Sequence, residues 1–463
     1  MMSKPVQIII IGGNAAGMSA ASRARRNDPD AAILVIEKSD IVSYGSCGLP
    51  YFVSDEIKNG RDLIARDIET FREKMNIKIL LKHEAHAIDS RQKTISVSDL
   101  NSGEHKVFRY DKLLISTGAG AIMPKLPGTD LDHVYVLRTL DDAQKIKQAL
   151  QSGDIKNAVI AGGGYIGLET AEAVAKYNIG VTIVEMADRL MKNVDQDISE
   201  IIEAELAAKR CIVIKNNGIQ SLSGGQTVKK VYLQTGESID ADMVVFCVGS
   251  KPQVEFTKKS GIHLGKTGAI TTNPKMQTNL SGVYAAGDCA EVFNIVTNKY
   301  DYIPLGTTAN KQGRIAGDNM TEKYSVFKGV TGTAAVKVFD LEIARTGITS
   351  QECESMKIDF KTVLINSNSR AHYYPDNKPV TVKLIFHAET GRLLGAQIAG
   401  KEGVAKRIDI LATALHQKMN VREISELDIS YAPPFSPVWD PILIAAQQAV
   451  KVVSKRNKSF IGN

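Results

Sequence analysis

The feature that most constrains the fold is a unit of strand, glycine-rich turn, helix and second strand, which the sequence contains twice. The first copy joins the apolar residues 6–11 to the turn Gly12-Gly13-Asn14-Ala15-Ala16-Gly17 and ends on a strand over residues 32–37. In such units the first glycine permits a tight turn, the last lets the helix approach the strand, and the helix N-terminus faces a pyrophosphate. Glu37, about 20 residues past the turn, stands where a carboxylate binds a ribose hydroxyl. Asn14 replaces the second glycine of the usual pattern, so the identification depends on the whole strand, turn, helix and strand context.

The second copy has all three glycines of the pattern, Gly162, Gly164 and Gly167, after a short apolar strand. It ends on Glu185, which is expected to hold the 2′-hydroxyl of an NADH ribose and to repel the 2′-phosphate of NADPH. Arg189, four residues later, either softens this preference or is an ordinary surface arginine at the start of a helix. Two such units in one chain predict two bound dinucleotides.

The order of the elements predicts an α/β fold with two Rossmann-like dinucleotide-binding domains, one inserted in the other, and a third α+β domain. Apolar strands that end in glycine turns, at residues 113–119 and 283–289, mark the exit from the first domain and its resumption. Asp288, at the end of the second of these strands, is suited to bind a ribityl hydroxyl. The expected boundaries are 1–120 and 250–325 for the first domain, 121–249 for the inserted domain, 330–450 for the last domain and 451–463 for a basic tail.

Cys47 is the residue that most restricts the chemistry. It stands in the segment Ser43-Tyr44-Gly45-Ser46-Cys47-Gly48-Leu49-Pro50-Tyr51. A dithiol pair of the CxxxxC type would need its second cysteine at position 52, which is Phe52. A single thiol must form a mixed disulfide with a small molecule, or cycle as a sulfenic acid or a persulfide. The remaining cysteines have no metal-ligand spacing and fit a reducing cytosol: Cys211, Cys247, Cys289 and Cys353.

Composition narrows the remaining classes of protein. The net charge of +6 is spread along the 463 residues, which favours no nucleic-acid partner. No apolar run approaches the ~20 residues needed to span a bilayer, and the apolar start is shorter than the core of a signal peptide. We therefore expect a cytoplasmic protein with no membrane, nucleic-acid or metal partner.

Taken together, these motifs resemble the pyridine nucleotide–disulfide oxidoreductases over essentially the full chain. The resemblance is to the single-cysteine branch, which contains coenzyme A-disulfide reductases, coenzyme A persulfide or polysulfide reductases, and NADH oxidases and peroxidases. It rests on the Cys47 segment and on two further motifs, Leu305-Gly306-Thr307-Thr308-Ala309-Asn310-Lys311-Gln312-Gly313-Arg314 and Tyr431-Ala432-Pro433-Pro434-Phe435-Ser436-Pro437.

The resemblance implies a homodimer joined through the last domain, with FAD in the first domain and NADH or NADPH in the second. It implies that a tyrosine from the partner subunit, at the position of Tyr431, approaches Cys47, and that Tyr373 is a second tyrosine of the site. The positions that match coenzyme A contacts are Arg26, Ser43 and Ser46. The expected cofactor contacts are Gly12, Asn14, Ala15, Ala16, Gly17, Glu37, Lys38, Ala85, Thr117, Gly118, Asp288, Leu305, Thr307 and Ala309 for FAD, and Gly162, Gly164, Tyr165, Ile166, Gly167, Glu185 and Gly249 for the nicotinamide dinucleotide.

The implied reaction passes electrons from NAD(P)H through FAD to Cys47, which reduces coenzyme A disulfide, coenzyme A persulfide or polysulfide. Tyr165 is expected to be a movable cover over the nicotinamide site, and a helix N-terminus is expected to lower the pKa of Cys47. Ala15 stands where NADH peroxidases and many NADH oxidases resembling this chain carry a histidine, which favours sulfur substrates. Two alternatives stay open: an NADH oxidase that reduces dioxygen through a Cys47 sulfenate, and an NADH-sensing flavoprotein that acts as a binding module.

Overall fold

Two parallel sheets hold the two glycine turns. The computed structural model describes residues 5–461, with side chains as far as residue 454. Both sheets have five strands, and each places the first strand of its glycine unit at the centre. The first sheet consists, in spatial order, of β18 (Val283–Ala285), β7 (Lys112–Ile115), β1 (Gln7–Ile11), β2 (Ala32–Ile36) and β3 (Lys78–Leu80). The second consists of β12 (Ile212–Ile214), β11 (Gly180–Val184), β10 (Asn157–Ala161), β16 (Met243–Phe246) and β9 (Val134–Val136).

The central strands are buried along nearly their whole length, because helices cover one face of each parallel sheet and a small antiparallel sheet packs on the other. This is why β1 and β10 are almost continuous apolar runs rather than alternating ones. The chain leaves the first sheet after β7 and returns to it only at β18, with the whole second sheet in between. The two crossings run side by side, since β8 (Ala119–Ala121) pairs with β17 (Ser250–Pro252) in an antiparallel ribbon. The predicted insertion of one dinucleotide unit into the other is confirmed.

The last domain is an antiparallel sheet covered by helices. Its strands, in spatial order, are β21 (Ala334–Val338), β22 (Leu341–Gly347), β25 (Leu393–Gly400), β24 (Pro379–His387) and β23 (Phe360–Asn368). This combination of strands and helices agrees with the third, α+β domain that the sequence predicted. The final helix continues through residues 451–461, the segment that was expected to be a separate basic tail. Residues 462 and 463 of that tail lie outside the described residues.

Smaller sheets and the helices complete the fold. The small sheets are formed by β4 (His83–Asp89), β5 (Thr94–Asp99) and β6 (His105–Arg109), by β13 (Ile219–Gly224), β14 (Val228–Leu233) and β15 (Ser238–Asp240), and by β19 (Val292–Asn294) and β20 (Lys299–Asp301). The helices are α1 (Ala15–Asn27), α2 (Leu49–Val53), α3 (Leu140–Gln151), α4 (Tyr165–Ala175), α5 (Gln196–Ala208), α6 (Gly306–Met320), α7 (Ser350–Ser355), α8 (Val404–His416), α9 (Val421–Ser425) and α10 (Pro441–Ile461). Within residues 5–461, no helix has the length and apolar character that crossing a membrane requires.

Candidate active site

The first glycine turn is shaped by close backbone contacts. Gly12 has a φ of +100°, and a Cβ on it would lie 2.2 Å from the carbonyl oxygen of Ser116. A Cβ on Gly17 would lie 1.8 Å from the carbonyl oxygen of Gly12, so only glycine lets α1 approach the turn. Glu37 accepts the N–H of Gly13 at 2.6 Å, which fixes its carboxylate beside the turn. No side chain caps the start of α1, so its first N–H groups suit a pyrophosphate.

Asn14, the departure from the glycine pattern, has a structural role. Its φ is −106°, a value that any residue adopts without strain. Its side-chain oxygen accepts the N–H of Tyr44 at 3.2 Å. This bond ties the first glycine turn to the segment that carries Cys47.

The second glycine turn repeats the geometry of the first. Gly162 has a φ of +103°, and a Cβ on Gly167 would lie 1.9 Å from the Gly162 carbonyl oxygen. Glu185 accepts the N–H of Gly163 at 2.7 Å, and α4 also begins without a side-chain cap. Nothing lies within 4 Å of a Cβ built on Gly164, which leaves the space beside this turn open.

Arg189 is buried and bonded inside the protein, so it is not a surface arginine, and its contacts do not support the other reading, in which it softens the preference for NADH. Only 8% of its surface is exposed. Its guanidinium donates to the carbonyl of Val194 at 3.2 Å and to Oε1 of Gln351 at 2.5 Å, across the boundary to the last domain. The acceptors of the Arg189 guanidinium are therefore groups other than Glu185.

Asp288 lies between the two dinucleotide units. Arg138, which sequence reasoning missed, places Nη2 3.1 Å from Oδ2 of Asp288 and donates from Nε to the carbonyl of Ala119. The fully buried Gln312 accepts the N–H of Gly287 at 2.8 Å and so fastens α6 to the turn that presents Asp288. Gln312 belongs to the long motif at 305–314, which was the available signal for it.

The other expected cofactor residues fall around these turns. Lys38 forms an ion pair with Glu84, in which Nζ lies 2.8 Å from Oε1, and the Lys38 side chain is 65% exposed. Thr117 donates its hydroxyl to the carbonyl of Gln253 at 2.6 Å. Positive φ angles occur at Gly118 and Gly249. The remaining members lie at the start of α1, on β4, on α4 and at the start of α6: Ala15, Ala16, Ala85, Ile166, Leu305, Thr307 and Ala309.

Cys47 lies in a 3-10 turn, Ser46–Gly48, that leads directly into α2. The residue is exposed, and a Cβ built on Gly306 would lie 4.0 Å from its Sγ, so the thiol faces the start of α6. Desolvation of the sulfur raises the pKa of Cys47, and the charges of Glu169 and Asp288 raise it further, while Arg138 lowers it. The expected lowering of this pKa is therefore wrong, because desolvation of the sulfur, together with the charges of two carboxylates, outweighs a short helix N-terminus.

A cleft of about 610 Å³ extends from Cys47 along α1 and α6. It contains the three residues that the sequence assigned to substrate, Arg26, Ser43 and Ser46, and also Ala15. Three further arginines line the same cleft and were missed: Arg23, Arg66 and Arg314. Arg23 stands one helical turn before Arg26, and Arg314 ends the 305–314 motif, but no sequence signal identifies Arg66.

The arginines are close enough to repel one another. Partial burial lowers the pKa of Arg26, the charges of Arg23, Arg314 and Arg66 lower it further, and Asp318 opposes them. By contrast, the guanidinium of Arg25 is bonded to the protein backbone, since it donates to the carbonyls of Met75 and Asn76 at 2.8 Å each. The cleft is thus lined by four arginines, of which Arg23 pairs with Asp318 at 2.5 Å, and it ends at a single thiol.

Two residues near the start of α4 are fixed by side-chain hydrogen bonds. The Tyr165 hydroxyl accepts from Nδ2 of Asn193 at 2.8 Å. Glu169, one turn further along α4, was missed by sequence reasoning. Its Oε1 accepts the Tyr51 hydroxyl at 3.2 Å, and burial raises the pKa of Glu169 to about 7.

Tyr373 and Tyr431 do not line the Cys47 cleft of their own chain. Their hydroxyls lie 3.1 Å apart, and this hydrogen bond raises the pKa of Tyr431. They are 63% and 44% exposed, and Phe435 and Trp439 nearby in sequence are 69% and 56% exposed. The last domain therefore presents an aromatic surface, the Tyr373–Tyr431 patch, made of these four residues.

Comparisons with known proteins place these features in context. Residues 6–313 match the family model described as pyridine nucleotide-disulphide oxidoreductase, and residues 333–441 match its dimerisation domain. A protein of Methanocaldococcus jannaschii named NADH oxidase is 35% identical over 97% of this chain and all of that protein. A coenzyme A disulfide reductase of Staphylococcus haemolyticus is 32% identical over 96% of this chain and 99% of its own length. The solved structure of an NAD-dependent persulfide reductase from A. fulgidus is 37% identical with a TM-score of 0.94, over 98% of this chain and 84% of that one.

Proposed function

Because the chain belongs to the pyridine nucleotide-disulphide oxidoreductase family, we propose that it passes electrons from NAD(P)H through FAD to Cys47. Cys47 in turn reduces coenzyme A disulfide, coenzyme A persulfide or polysulfide. The observation that supports this best is the cleft in which one thiol and the guanidinium groups of Arg23, Arg26, Arg66 and Arg314 meet. A substrate for this cleft needs several phosphate groups at one end and a reducible sulfur at the other, and coenzyme A derivatives have both.

The residues of the first domain fit FAD. Gly12 and Gly17 let protein backbone segments approach closely, which makes the tight turn that a dinucleotide pyrophosphate needs. Glu37 is fixed beside this turn, where it can bind a ribose hydroxyl. Asp288 is assigned to a ribityl hydroxyl. When bound, FAD accepts a hydride from the nicotinamide and makes the electron pair available to the Cys47 sulfur. The same cradle built around Gly162 and its neighbours is assigned to NADH.

Cys47 performs the sulfur chemistry. Its thiolate attacks a disulfide sulfur of the substrate, the substrate S–S bond breaks, and a Cys47–S–S–R mixed disulfide forms as the first thiolate leaves. The electron pair that reaches Cys47 then breaks the mixed disulfide and releases the second thiol. Overall, one disulfide, one NADH and one proton give two thiols and NAD⁺. With a persulfide, the outer sulfur is transferred to Cys47 and leaves as sulfide.

The arginines and serines position the substrate. Guanidinium groups bind phosphate through paired, charge-assisted hydrogen bonds, which suits the pyrophosphate and 3′-phosphate of coenzyme A. Ser43 and Ser46 add hydroxyl groups near the thiol end of the cleft. This arrangement orients the reactive sulfur toward Cys47 while the nucleotide stays at the arginine end.

We assign the last domain to a homodimer interface, at which the Tyr373–Tyr431 patch of one subunit meets the Cys47 cleft of the other. Exposed aromatic side chains such as Phe435 and Trp439 are typical of the core of an interface. Tyr431 would then donate a proton or a hydrogen bond to the leaving thiolate. The domain boundaries that go with this proposal are 1–120 and 250–325 for FAD, 121–249 for NADH and 330–450 for the dimer.

An anaerobic substrate panel tests the proposal. NADH oxidation is followed with coenzyme A disulfide, coenzyme A persulfide, polysulfide and hydrogen peroxide, each with the wild-type protein and with Cys47→Ser as the matched control. Fast, Cys47-dependent oxidation with one of the sulfur substrates supports the proposal. Failure of all three sulfur substrates contradicts it.

A second candidate is an NADH oxidase that reduces dioxygen through a Cys47 sulfenate. The exposed thiol and the 35% identity to a protein named NADH oxidase favour it. Ala15, which lines the cleft with Cys47, offers no ionisable side chain to assist oxygen chemistry. Repeating the panel in air without a sulfur substrate separates the two, because only an oxidase would consume NADH at a comparable rate.

A further inference from the structure

The turn that carries Asp288 lies at the edge of the first sheet where the parallel strands end. β18, which precedes this turn, runs parallel to β7, and β7 runs parallel to β1. The turns that follow β1 and β18 therefore lie at the same edge. A Cβ built on Gly287 would lie 3.0 Å from the Cβ of Ala16 and 3.5 Å from the Cβ of Ala309. Asp288 thus stands beside the starts of α1 and α6, at the carboxyl edge where folds of this kind bind their ligands.

One oxygen of the Asp288 carboxylate is already bonded. Nη2 of Arg138 donates to Oδ2 at 3.1 Å, and the side chains of Arg138 and Asp288 are 31% and 18% exposed. Within the part of the chain that the structure describes, this is the only side-chain hydrogen bond of Asp288. A carboxylate has lone pairs for about four hydrogen bonds, so Oδ1 can still accept a hydroxyl group.

Arg138 comes from the other dinucleotide unit, where it lies between β9 and α3. Its Nε donates to the carbonyl of Ala119, at the start of β8, over a distance of 2.8 Å. Its backbone N–H donates to Oδ2 of Asp142, in the first turn of α3, at 3.1 Å. Both the backbone and the guanidinium of Arg138 are therefore fixed, and the side chain joins the second sheet to the turn after β18.

Lys147 provides a comparison, because it forms an ion pair from the same helix, α3, to the first domain. Its Nζ lies 2.8 Å from Oδ1 of Asp55 and 4.2 Å from the centroid of the Phe52 ring, and 9% of its side chain is exposed. These contacts lie on α2 and just after it, rather than in the turn that carries Asp288. Arg138 and Lys147 thus join the same two parts of the chain, but of the two only Arg138 contacts a residue assigned to FAD.

We propose that Arg138 is a positioning residue for FAD, which holds the Asp288 carboxylate so that Oδ1 is free to accept a ribityl hydroxyl of the cofactor. A charge-assisted hydrogen bond restrains the rotation of a carboxylate, so the cofactor does not have to order this side chain when it binds. The inference rests on the proposed assignment of Asp288 to the ribityl chain, and it does not depend on the sulfur chemistry of Cys47.

The test measures the Kd of FAD by serial dilution of the full-length holoprotein, with the released cofactor followed by its fluorescence. Arg138→Met should raise this Kd about tenfold or more, because a hydrogen bond between charged groups is lost at the cofactor contact. Arg138→Lys should raise it less, since an ammonium group can still pair with Asp288. Lys147→Met is the matched control and should leave the Kd within about twofold, because its ion pair lies away from that contact.

A double variant separates positioning from a general role in folding. In the Asp288→Ala background, which should itself weaken FAD binding, Arg138→Met should add about twofold or less, since the carboxylate that Arg138 positions is gone. An unchanged Kd in Arg138→Met, an equal loss in Lys147→Met, or losses that add fully in the double variant would overturn the inference. If Arg138→Met does not fold, Arg138→Gln takes its place in the same comparison.

The inference and the proposed function can fail separately. If Asp288→Ala leaves the Kd of FAD unchanged, the assignment of Asp288 is wrong and the role of Arg138 is refuted with it, whatever the turnover of the sulfur substrates. If the protein binds FAD with the expected pattern but reduces no sulfur substrate, the role of Arg138 stands and only the proposed function is overturned.

Discussion

The two glycine turns have almost the same geometry and very different surroundings. In both, a Cβ on the last glycine would lie 1.8 or 1.9 Å from the carbonyl oxygen of the first. In both, the closing carboxylate accepts a glycine N–H, at 2.6 Å in one and 2.7 Å in the other. The first turn is bordered by the Cys47 segment, α6 and the arginine cleft, whereas the second is bordered by Tyr165, Glu169 and the last domain. The comparison shows that the glycine turn and its closing carboxylate determine the class of ligand, a dinucleotide. The elements packed around the turn determine the chemistry.

The largest expected effect is that of Cys47→Ser, which should separate flavin reduction by NADH from reduction of the sulfur substrate. Cys47→Ser should retain the FAD and its reduction by NADH, because those steps depend on the two cradles. It should lose disulfide or persulfide turnover, since no other cysteine among the described residues is exposed. Stopped-flow absorbance of the flavin and steady-state NADH oxidation measure the two properties separately. Substantial disulfide turnover in this variant would show that the thiol does not carry the reaction.

The next largest effect concerns the Tyr373–Tyr431 patch. Tyr431→Phe should slow the sulfur half-reaction by about 10²–10⁴-fold if Tyr431 transfers a proton, and by less if it only donates a hydrogen bond. Reduction of the flavin by NADH should be unchanged.

Mixed dimers show whether Tyr431 acts across the interface. A dimer of one Tyr431→Phe subunit and one Cys47→Ser subunit combines intact Cys47 and intact Tyr431 at one site. It should therefore regain activity that neither homodimer has. If such heterodimers form and stay inactive, Tyr431 does not act on the partner's thiol.

A smaller effect tests the arginine cleft beside the first turn. Arg26→Met should raise the KM for coenzyme A disulfide about tenfold or more, because it removes a charge-assisted contact to phosphate. The KM for NADH should stay the same, since the second cradle is untouched. An equal rise in both values would indicate a general loss of structure rather than a lost substrate contact.

The smallest effect tests the second turn. Glu185 should favour NADH over NADPH in kcat/KM, because its carboxylate repels a 2′-phosphate. Glu185→Gln should narrow the ratio of the two kcat/KM values by removing repulsion from the 2′-phosphate, without changing the KM for the acceptor. A wild-type preference for NADPH would refute the role given to Glu185.

Local constraints account for what the sequence predicted well. Gly12 and Gly162 adopt positive φ, and Gly17 and Gly167 touch backbone, so only glycine fits at these four positions. The continuous apolar strands follow from burial on both faces of a parallel sheet. These requirements act over a few residues and are therefore visible in the sequence itself.

The features that the sequence did not reveal depend on segments far apart in the chain. Arg66 reaches the cleft from a loop, and nothing in its neighbourhood distinguishes it from a surface arginine. Desolvation raises the pKa of Cys47, and the charges of Glu169 and Asp288, which come from distant parts of the chain, raise it further. Arg189 is buried because Val194 and Gln351 offer its guanidinium acceptors. Side-chain direction and mutual charge effects of this kind require the folded structure.

The central claim is that one thiol and an arginine cleft together select a coenzyme A-linked sulfur substrate. The most direct test compares kcat/KM for coenzyme A disulfide with that for pantethine, a disulfide with the same reactive end and no phosphate or adenine. We predict a value for coenzyme A disulfide at least about 100-fold higher, as expected when charged hydrogen bonds to the phosphates are lost, and a loss of most of that advantage in Arg26→Met. Equal values for the two disulfides in the wild-type protein would contradict the account.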